Sequence, residues 1–525
     1  MAKLYIKKKI NKHPINTLMK FFVVLFSLAL LLSCNTTVET KVKPNIIYFL
    51  ADDLGYGEVG VYGQTTIQTP NIDALASNGM LFTQHYSGAP VCAPARYMLL
   101  TGLHSGHAYI RGNDEWAERG DVWNYELASN NPEYEGQRPI PETTVTVAHK
   151  LKDAGYTTGI FGKWGLGAPN TEGVPNNQGF DQFFGYNCQR QAHNLYPPHL
   201  WKNDQKIKLN NELVAPRTGL DSLADPNLDE SYVKYNQKDY APTVIHNEAL
   251  AFIEQNKENP FFMYYASPLP HLPLQAPQEF IADYKQSLGS EEPYLGERGY
   301  FPNRTPRATY AAMISYLDKQ LGDLVALLKE LDIYENTLII FTSDNGPTYT
   351  GGVDFEFFES SKPFQNGYGR TKGYLYEGGI RVPMIASWPN QIKPGTQSDL
   401  ISSFYDIMPT LCDIADVKPP EHIDGLSFTN ELLGQKQNTH EYLYWEFPSY
   451  KGQQAVRMGK WKGIRKNIFD GNLAVELYDL DKDIAETTNI ADAHPEIVKQ
   501  IEEIMIKEHI PSDNERFKFK ELGDN

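Results

Sequence analysis

The chain is poor in cysteine, with four in 525 residues, so it is not a small scaffold stapled by disulfides; a chain this long buries a core without them. It also lacks a basic surplus. Its 48 Lys and Arg stand against 65 Asp and Glu, a net charge of −17. That balance argues against nucleic acid as a partner, because phosphate backbones are bound by basic surfaces. An anionic substrate would instead need a local basic pocket. Internal repeats and low-complexity segments are missing as well. What is present is a globular composition, 41% hydrophobic and 12% aromatic, in a chain longer than one average domain, which predicts a main domain with an appendage.

The N-terminus is organised differently from the rest. Lys3, Lys7, Lys8, Lys9, Lys12 and Lys20 precede FFVVLFSLALLLSC, an apolar segment shorter than the ~20 residues of a spanning helix, and the two together read as a signal peptide. The segment ends Leu31, Leu32, Ser33, Cys34 and resembles the lipobox of bacterial lipoproteins. The resemblance implies cleavage before Cys34, acylation of its thiol, and a lipid anchor on the periplasmic or outer face of a bacterial cell envelope. The plainer alternative is an ordinary signal peptide with a chance cysteine. Residues 1–33 are then a leader and 34–43 a polar tether. With Cys34 committed to lipid, Cys92, Cys188 and Cys412 remain. An odd number in an oxidising compartment leaves at least one outside any intramolecular disulfide, and Cys92 is the candidate for chemistry.

Beyond the tether, NIIYFLADD is a continuous apolar run closed by two carboxylates, as expected of a strand buried on both faces of a parallel sheet. YTTGIFGKWG, PFFMYYASP, TLIIFTSDNG and VPMIASWP repeat the pattern of apolar run and polar or glycine-rich exit. Between them lie helix-like stretches, TVTVAHKLKDAG with a glycine stop and YAAMISYLDKQLGDLVALLKELDI with helical periodicity. Alternating strand and helix predict an α/β domain over 44–415, a large mostly parallel sheet flanked by helices on both faces. In such sheets the site lies beyond the carboxyl ends of the strands, where the polar exits fall. After Cys412 the texture changes. EYLYWEF, QAVRMGKWKGIRK and AVELYDLDKD are short strand-like pieces, and PEIVKQIEEIMIKEHI is an amphipathic helix. These predict a small antiparallel sheet with a helix over 416–525.

Asp52 and Asp53 leave one strand end, and Asp344 and Asn345 leave another in TSDNG. Four oxygen-bearing side chains meeting at one edge suit a hard cation such as Ca²⁺. Taken alone, a paired Asp after a strand also reads as a helix cap or a solvated turn.

CAPARYMLLTG resembles the type I sulfatase signature, Cys-x-Pro-x-Arg followed by Leu-Thr-Gly, and the similarity runs from NIIYFLADDLGYG to ELYDLDKDIAETTNIA. The resemblance places the chain in the alkaline phosphatase superfamily and implies that Cys92 is oxidised to Cα-formylglycine (3-oxoalanine) by a formylglycine-generating or anaerobic sulfatase-maturating enzyme, with Pro94 and Arg96 as its recognition element. It also implies Ca²⁺ held by Asp52, Asp53, Asp344, Asn345 and the modified Cys92. Arg96 would orient formylglycine, Lys163 of FGKWGLG and Lys372 of GRTKGYLYEGGIR would grip sulfate oxygens, and His271 of PLPHLPLQAP would stand beside the leaving oxygen. The plain alternatives are a solvated Lys372 and a structural loop His271. The chemistry needs these types. A sulfate monoester repels nucleophiles, and a cation with two lysines offsets that charge. One hydroxyl of hydrated formylglycine attacks sulfur, and the second lets the aldehyde re-form and expel sulfate.

One position departs from the family pattern. Gly165 stands where the family commonly has a histidine contacting the formylglycine hydroxyl, so the base for the second step is open. GKWGLG together with GYNCQRQAHN resembles a subgroup of bacterial polysaccharide sulfatases. His193 of that second motif is a replacement base, a substrate contact, or a residue that packs its loop. With Arg190 it belongs to an aromatic and polar stretch suited to sugar rings and hydroxyls. The expected activity is hydrolysis of sulfate esters on a sulfated carbohydrate, such as algal ulvan or carrageenan or host glycans. Phosphonate or phosphodiester hydrolysis in the same superfamily is one alternative, and an inactive glycan-binding lipoprotein is another.

Overall fold

The computed structural model describes residues 43–525 together with Met1 and Leu4. The rest of the leader and tether, and with them Cys34, lie outside the described residues. No helix among the described residues is long and apolar enough to cross a membrane.

Eleven strands form the main sheet of the body Pro44–Asn525. In chain order they are β1 (Asn45–Ala51), β2 (Met80–Tyr86), β3 (Thr157–Lys163), β4 (Gln182–Tyr186), β5 (His199–Lys202), β6 (Gln205–Lys208), β7 (Phe261–Ala266), β8 (Thr337–Ser343), β9 (Arg381–Ser387), β10 (Thr396–Ser398) and β11 (Ser402–Ser403). They lie in the order β10-β2-β9-β8-β1-β7-β3-β4-β5-β6, with β11 beside β2. The centre, β8-β1-β7-β3-β4, is parallel.

Every residue of β1 is buried, which is why its sequence is apolar without alternation. Its alternate side chains serve two different layers. Ile47 and Phe49 pack with Leu317, Leu321 and Leu324 of the helix Pro306–Glu330, whereas Ile46, Tyr48 and Leu50 pack with Met98 and Leu411 of the helices Cys92–Thr101 and Ile407–Ile414. At roughly 1.5–3 kcal/mol for each large apolar side chain fully buried, these layers rather than cross-links hold the fold. Cys92, Cys188 and Cys412 are accordingly free and buried.

The edges differ from an all-parallel sheet. β9, whose apolar run resembles the others, is antiparallel to both β8 and β2, and β5 and β6 close the far edge as an antiparallel hairpin. The segment between β8 and β9 returns to the carboxyl edge of β8, so β9 enters from that edge and must run the opposite way.

β12 (Leu443–Phe447), β13 (Gln453–Met458), β14 (Trp461–Lys466) and β15 (Val475–Asp479) form the second, wholly antiparallel sheet. Ile501 and Met505 of the helix Pro495–Glu508 cover one face through Val456 and Leu477. The other face shares a core with the main body. There Trp445, Ala455 and Ile464 meet Tyr86, Leu375 and Tyr405, and Trp445 Nε1 donates to the Ser87 carbonyl at 2.8 Å.

Candidate active site

The polar exits meet at one edge, as the strand order requires. Asp52 and Asp53 follow β1, Lys163 ends β3, His271 follows β7, and Asp344 and Asn345 follow β8. These are adjacent parallel strands, so their carboxyl ends bring the side chains together. Asp53 takes a left-handed φ of 67°, which aspartate tolerates better than most residues. Its backbone N–H donates to Asp344 Oδ1 at 3.1 Å.

Cys92 is the first residue of the helix Cys92–Thr101. The Cys-x-Pro-x-Arg spacing places Arg96 one turn further along the same face. Arg96 is fully buried. It donates to Asp344 Oδ2 through Nη2 at 2.9 Å and Nε at 3.2 Å, lies 3.5 Å from Asp52, and donates to the Lys163 carbonyl through Nη1. Arg96 is thus a clamp joining three strand ends to the helix that carries Cys92.

Each lysine meets one aspartate. Lys163 Nζ lies 2.6 Å from Asp52 Oδ2, and Lys372 Nζ lies 2.6 Å from both Asp53 carboxylate oxygens. The Cys92 thiol joins them, with Sγ 3.4 Å from Asp52 Oδ1 and 3.8 Å from Lys372 Nζ. Burial works against the charge of Lys163, but Asp52 outweighs it and keeps the lysine above its ordinary pKa. Lys372 is raised in the same way, with Asp53 overcoming burial. Both are cations at neutral pH. Burial and then the Asp52 charge push the Cys92 thiol up, so an unmodified cysteine here is protonated and a weak nucleophile.

His271 Nδ1 donates to the Leu272 carbonyl at 2.7 Å, which leaves Nε2 facing Asp53 Oδ2 at 3.7 Å. Burial, and after it Lys372 and Lys163, hold its pKa well below the usual histidine value. His193 stacks on His271 with ring centres 5.3 Å apart and planes 14° apart, and Tyr300 meets both rings edge-on.

The donor set fits a hard cation. Ligand atoms of Asp52, Asp53, Cys92 and His271 all lie within 4.8 Å of one another. Asn345 Nδ2 donates to Asp53 Oδ1 at 2.8 Å, while Asn345 Oδ1 is buried without a partner among the described residues. A buried acceptor left unpaired costs about 1–3 kcal/mol, and a Ca²⁺ held by Asp52, Asp53, Asp344 and Asn345 would satisfy it with oxygen ligands of the preferred kind.

A cavity of about 300 Å³ opens onto these groups, and Cys92, Lys163, Lys372, His193 and His271 line it. Glu115, Gln189, Tyr300, Ser449 and Tyr450 line it as well, and sequence reasoning had not singled out Glu115, Tyr300, Ser449 or Tyr450. Burial pushes the Glu115 carboxyl up to about 7, against the opposing effect of Arg190. Arg190, expected as a substrate contact, is not among the residues that line the cavity; its Nη2 donates to the Trp123 carbonyl at 2.5 Å and its guanidinium lies 4.8 Å from the Trp123 ring centre.

Comparison with known proteins agrees with this geometry. The sulfatase family model matches residues 44–417, and that of the C-terminal region of N-sulphoglucosamine sulphohydrolase matches residues 368–510. The chain therefore belongs to the sulfatase family, with the alkaline phosphatase-like fold, and is an enzyme of the sulfuric ester hydrolase class. It is 30% identical to an N-acetylgalactosamine-6-O-sulfatase of Bacteroides thetaiotaomicron, over 91% of this chain and 96% of that one. It is 31% identical to human arylsulfatase A, over 91% and 90% of the two chains. Among solved structures, Ps i-CgsB in complex with k-i-k-neocarrahexaose is similar with a TM-score of 0.68 at 26% identity, covering 89% of this chain and 94% of that one.

Proposed function

We propose that this sulfatase hydrolyses sulfate monoesters on a sulfated oligosaccharide, with residue 92 carried as Cα-formylglycine and Ca²⁺ held by Asp52, Asp53, Asp344 and Asn345. The observation that carries the reading is the convergence of two buried lysines, Lys163 and Lys372, with His271 on Cys92 at the floor of one cavity. Bound there, the cation supplies positive charge and the hydrated aldehyde an oxygen nucleophile that a protonated thiol does not offer.

The remaining work falls to the chain's own residues. Lys163 and Lys372 hold the sulfuryl oxygens and offset their charge in a water-poor site. Arg96 keeps Asp52 and Asp344 in register with the helix of Cys92. Burial, and after it the two lysines, keeps His271 neutral before substrate enters; an entering sulfate ester offsets the lysine charges and favours a proton taken up from solvent, which Nε2 passes to the departing alcohol oxygen.

A saccharide substrate is supported by the relatives, whose names include an N-acetylgalactosamine-6-O-sulfatase and a structure holding a neocarrahexaose. The polar and aromatic walls support it too. His193 stacks on His271 and lines the cavity, and the charge of Arg190 acts on Glu115 of the same lining. A lipid anchor at Cys34, which would hold the enzyme at the bacterial cell envelope, and prior action of a maturating enzyme on Cys92 belong to the same proposal.

The test is a panel of sulfated oligosaccharides, 4-nitrophenyl sulfate and a phosphonate ester, assayed with wild type and Arg190→Ala. The expected result is a much higher kcat/KM on at least one saccharide sulfate, with Arg190→Ala lowering that value and barely changing aryl sulfate turnover, because a residue that supports the wall beside the saccharide counts only when the saccharide is present. Preference for the aryl sulfate over every saccharide, or for the phosphonate, would overturn the reading.

A further inference from the structure

We infer that Gln189 is a substrate-binding residue, donating its side-chain N–H to an oxygen of the sulfuryl group held by Lys163 and Lys372. The inference rests on the sulfatase reading above and assigns a residue to its anion site. Gln189 is only 3% exposed and lines the cavity with both lysines, Cys92 and His271. Its backbone is pinned, since the Gln189 N–H donates to Gln137 Oε1 at 3.0 Å. Its Nε2, by contrast, is buried without any partner among the described residues. A buried N–H of this kind is costly unless an occupant of the site receives it. The neighbouring cations say what that occupant is. Beside Lys163 and Lys372 it is an anion, and a neutral N–H completes its coordination without adding a third charge to repel the other two.

Gly165 gives this side chain its room. It has a φ of +82°, and a Cβ there would come within 2.9 Å of Gln189 Cγ and 3.1 Å of Nε2. The space beside residue 165 is thus filled by the Gln189 carboxamide, and the two positions are coupled: a side chain at 165 would displace the amide from the cavity wall.

The experiment uses the full, matured chain as wild type, Gln189→Ala and Gln189→Glu. It reads kcat/KM on 4-nitrophenyl sulfate and on a sulfated oligosaccharide, binding of inorganic sulfate by calorimetry, and Tm. Gln189→Ala is expected to lower kcat/KM about 10- to 100-fold on both esters alike, as for loss of one hydrogen bond to an anion, and to weaken sulfate binding without lowering Tm. Gln189→Glu keeps the shape but sets a carboxylate against the anion. It should be weaker still at pH 7.5 and recover relative to wild type as pH falls toward 5, where the protonated carboxyl becomes a donor. A packing role would show no such recovery. A Gln189→Ala enzyme within about twofold of wild type with unchanged sulfate affinity would overturn the inference, as would a loss confined to the oligosaccharide or full activity of Gln189→Glu at pH 7.5. A wild type that binds sulfate but turns over no ester would count against the proposed reaction alone, and sulfate binding by the variants would still decide the role of Gln189.

Discussion

Lys163 Nζ and Asp52 Oδ2 are 2.6 Å apart, and neither side chain is exposed to solvent. A pair so placed is expensive to break, because either partner alone is a buried charge. Asp52 keeps Arg96 at 3.5 Å when the lysine is lost, so Lys163→Met should fold. It should nonetheless lose about 10²- to 10³-fold in kcat on every sulfate ester, the usual loss for one preorganised charge-stabilising group. Steady-state kinetics on purified variant, with Tm as the control, decides it; a loss below tenfold would remove Lys163 from the reaction.

Cys92 sits 2% exposed at the start of its helix, where serine fits with little disturbance. Cys92→Ser should keep the wild-type Tm and have no turnover. In wild type the peptide containing residue 92 should be lighter by roughly 18 Da, the exchange of SH and H for a carbonyl oxygen. Full activity in the serine variant, or an unmodified peptide in active enzyme, would defeat the formylglycine assignment.

Chelation addresses Asn345, whose Oδ1 has no partner among the described residues. A strong chelator should abolish activity and lower Tm, and Ca²⁺ should restore both. Asn345→Ala should bind Ca²⁺ more weakly by calorimetry. Unchanged rates in protein shown by elemental analysis to be free of metal would count against the site.

Away from the cavity, His107 Nδ1 lies 2.9 Å from Asp424 Oδ1. The hydrogen bond with Asp424 raises the His107 pKa, with burial opposing it. A histidine whose folded pKa exceeds its unfolded value of about 6.5 gives full stabilisation below that value and loses it as pH rises through the folded one. The stability gap between wild type and His107→Ala, read by chemical denaturation, should therefore be roughly 1–2 kcal/mol near pH 6 and shrink on the alkaline side. A gap independent of pH between 6 and 9 would rule the pair out as the cause.

Much of this molecule was legible in its sequence, for a physical reason in each case. Strands buried on both faces must be apolar throughout, so β1, β3, β7 and β8 were visible as runs, and their carboxyl ends marked where Asp52, Asp53, Asp344 and Asn345 would meet; Lys163 and His271 came from the resemblance to sulfatases. Strand direction is another matter. The run of β9 is as apolar as that of β8, and nothing in an apolar run says which way it is traversed; the path of the preceding segment decides. The resemblance of CAPAR to the sulfatase signature marked Cys92 and Arg96, which share one helical face. Glu115, Tyr300 and Tyr450 carry no such mark. Their place at the cavity depends on where loops from distant parts of the chain come to rest.

Ser449 and Tyr450 reach the cavity from the turn between β12 and β13, on the sheet that contributes none of the lysines, aspartates or the residue 92 helix. Reaction and fit are therefore written on separate stretches of the chain. Changing that one turn would reshape one wall of the cavity, and Tyr450, whose ring lies 5.2 Å from that of Tyr374, would carry part of the change to the loop of Lys372. The five-residue connection Pro448 to Gly452 is thus the place where the second sheet can alter what the cavity admits.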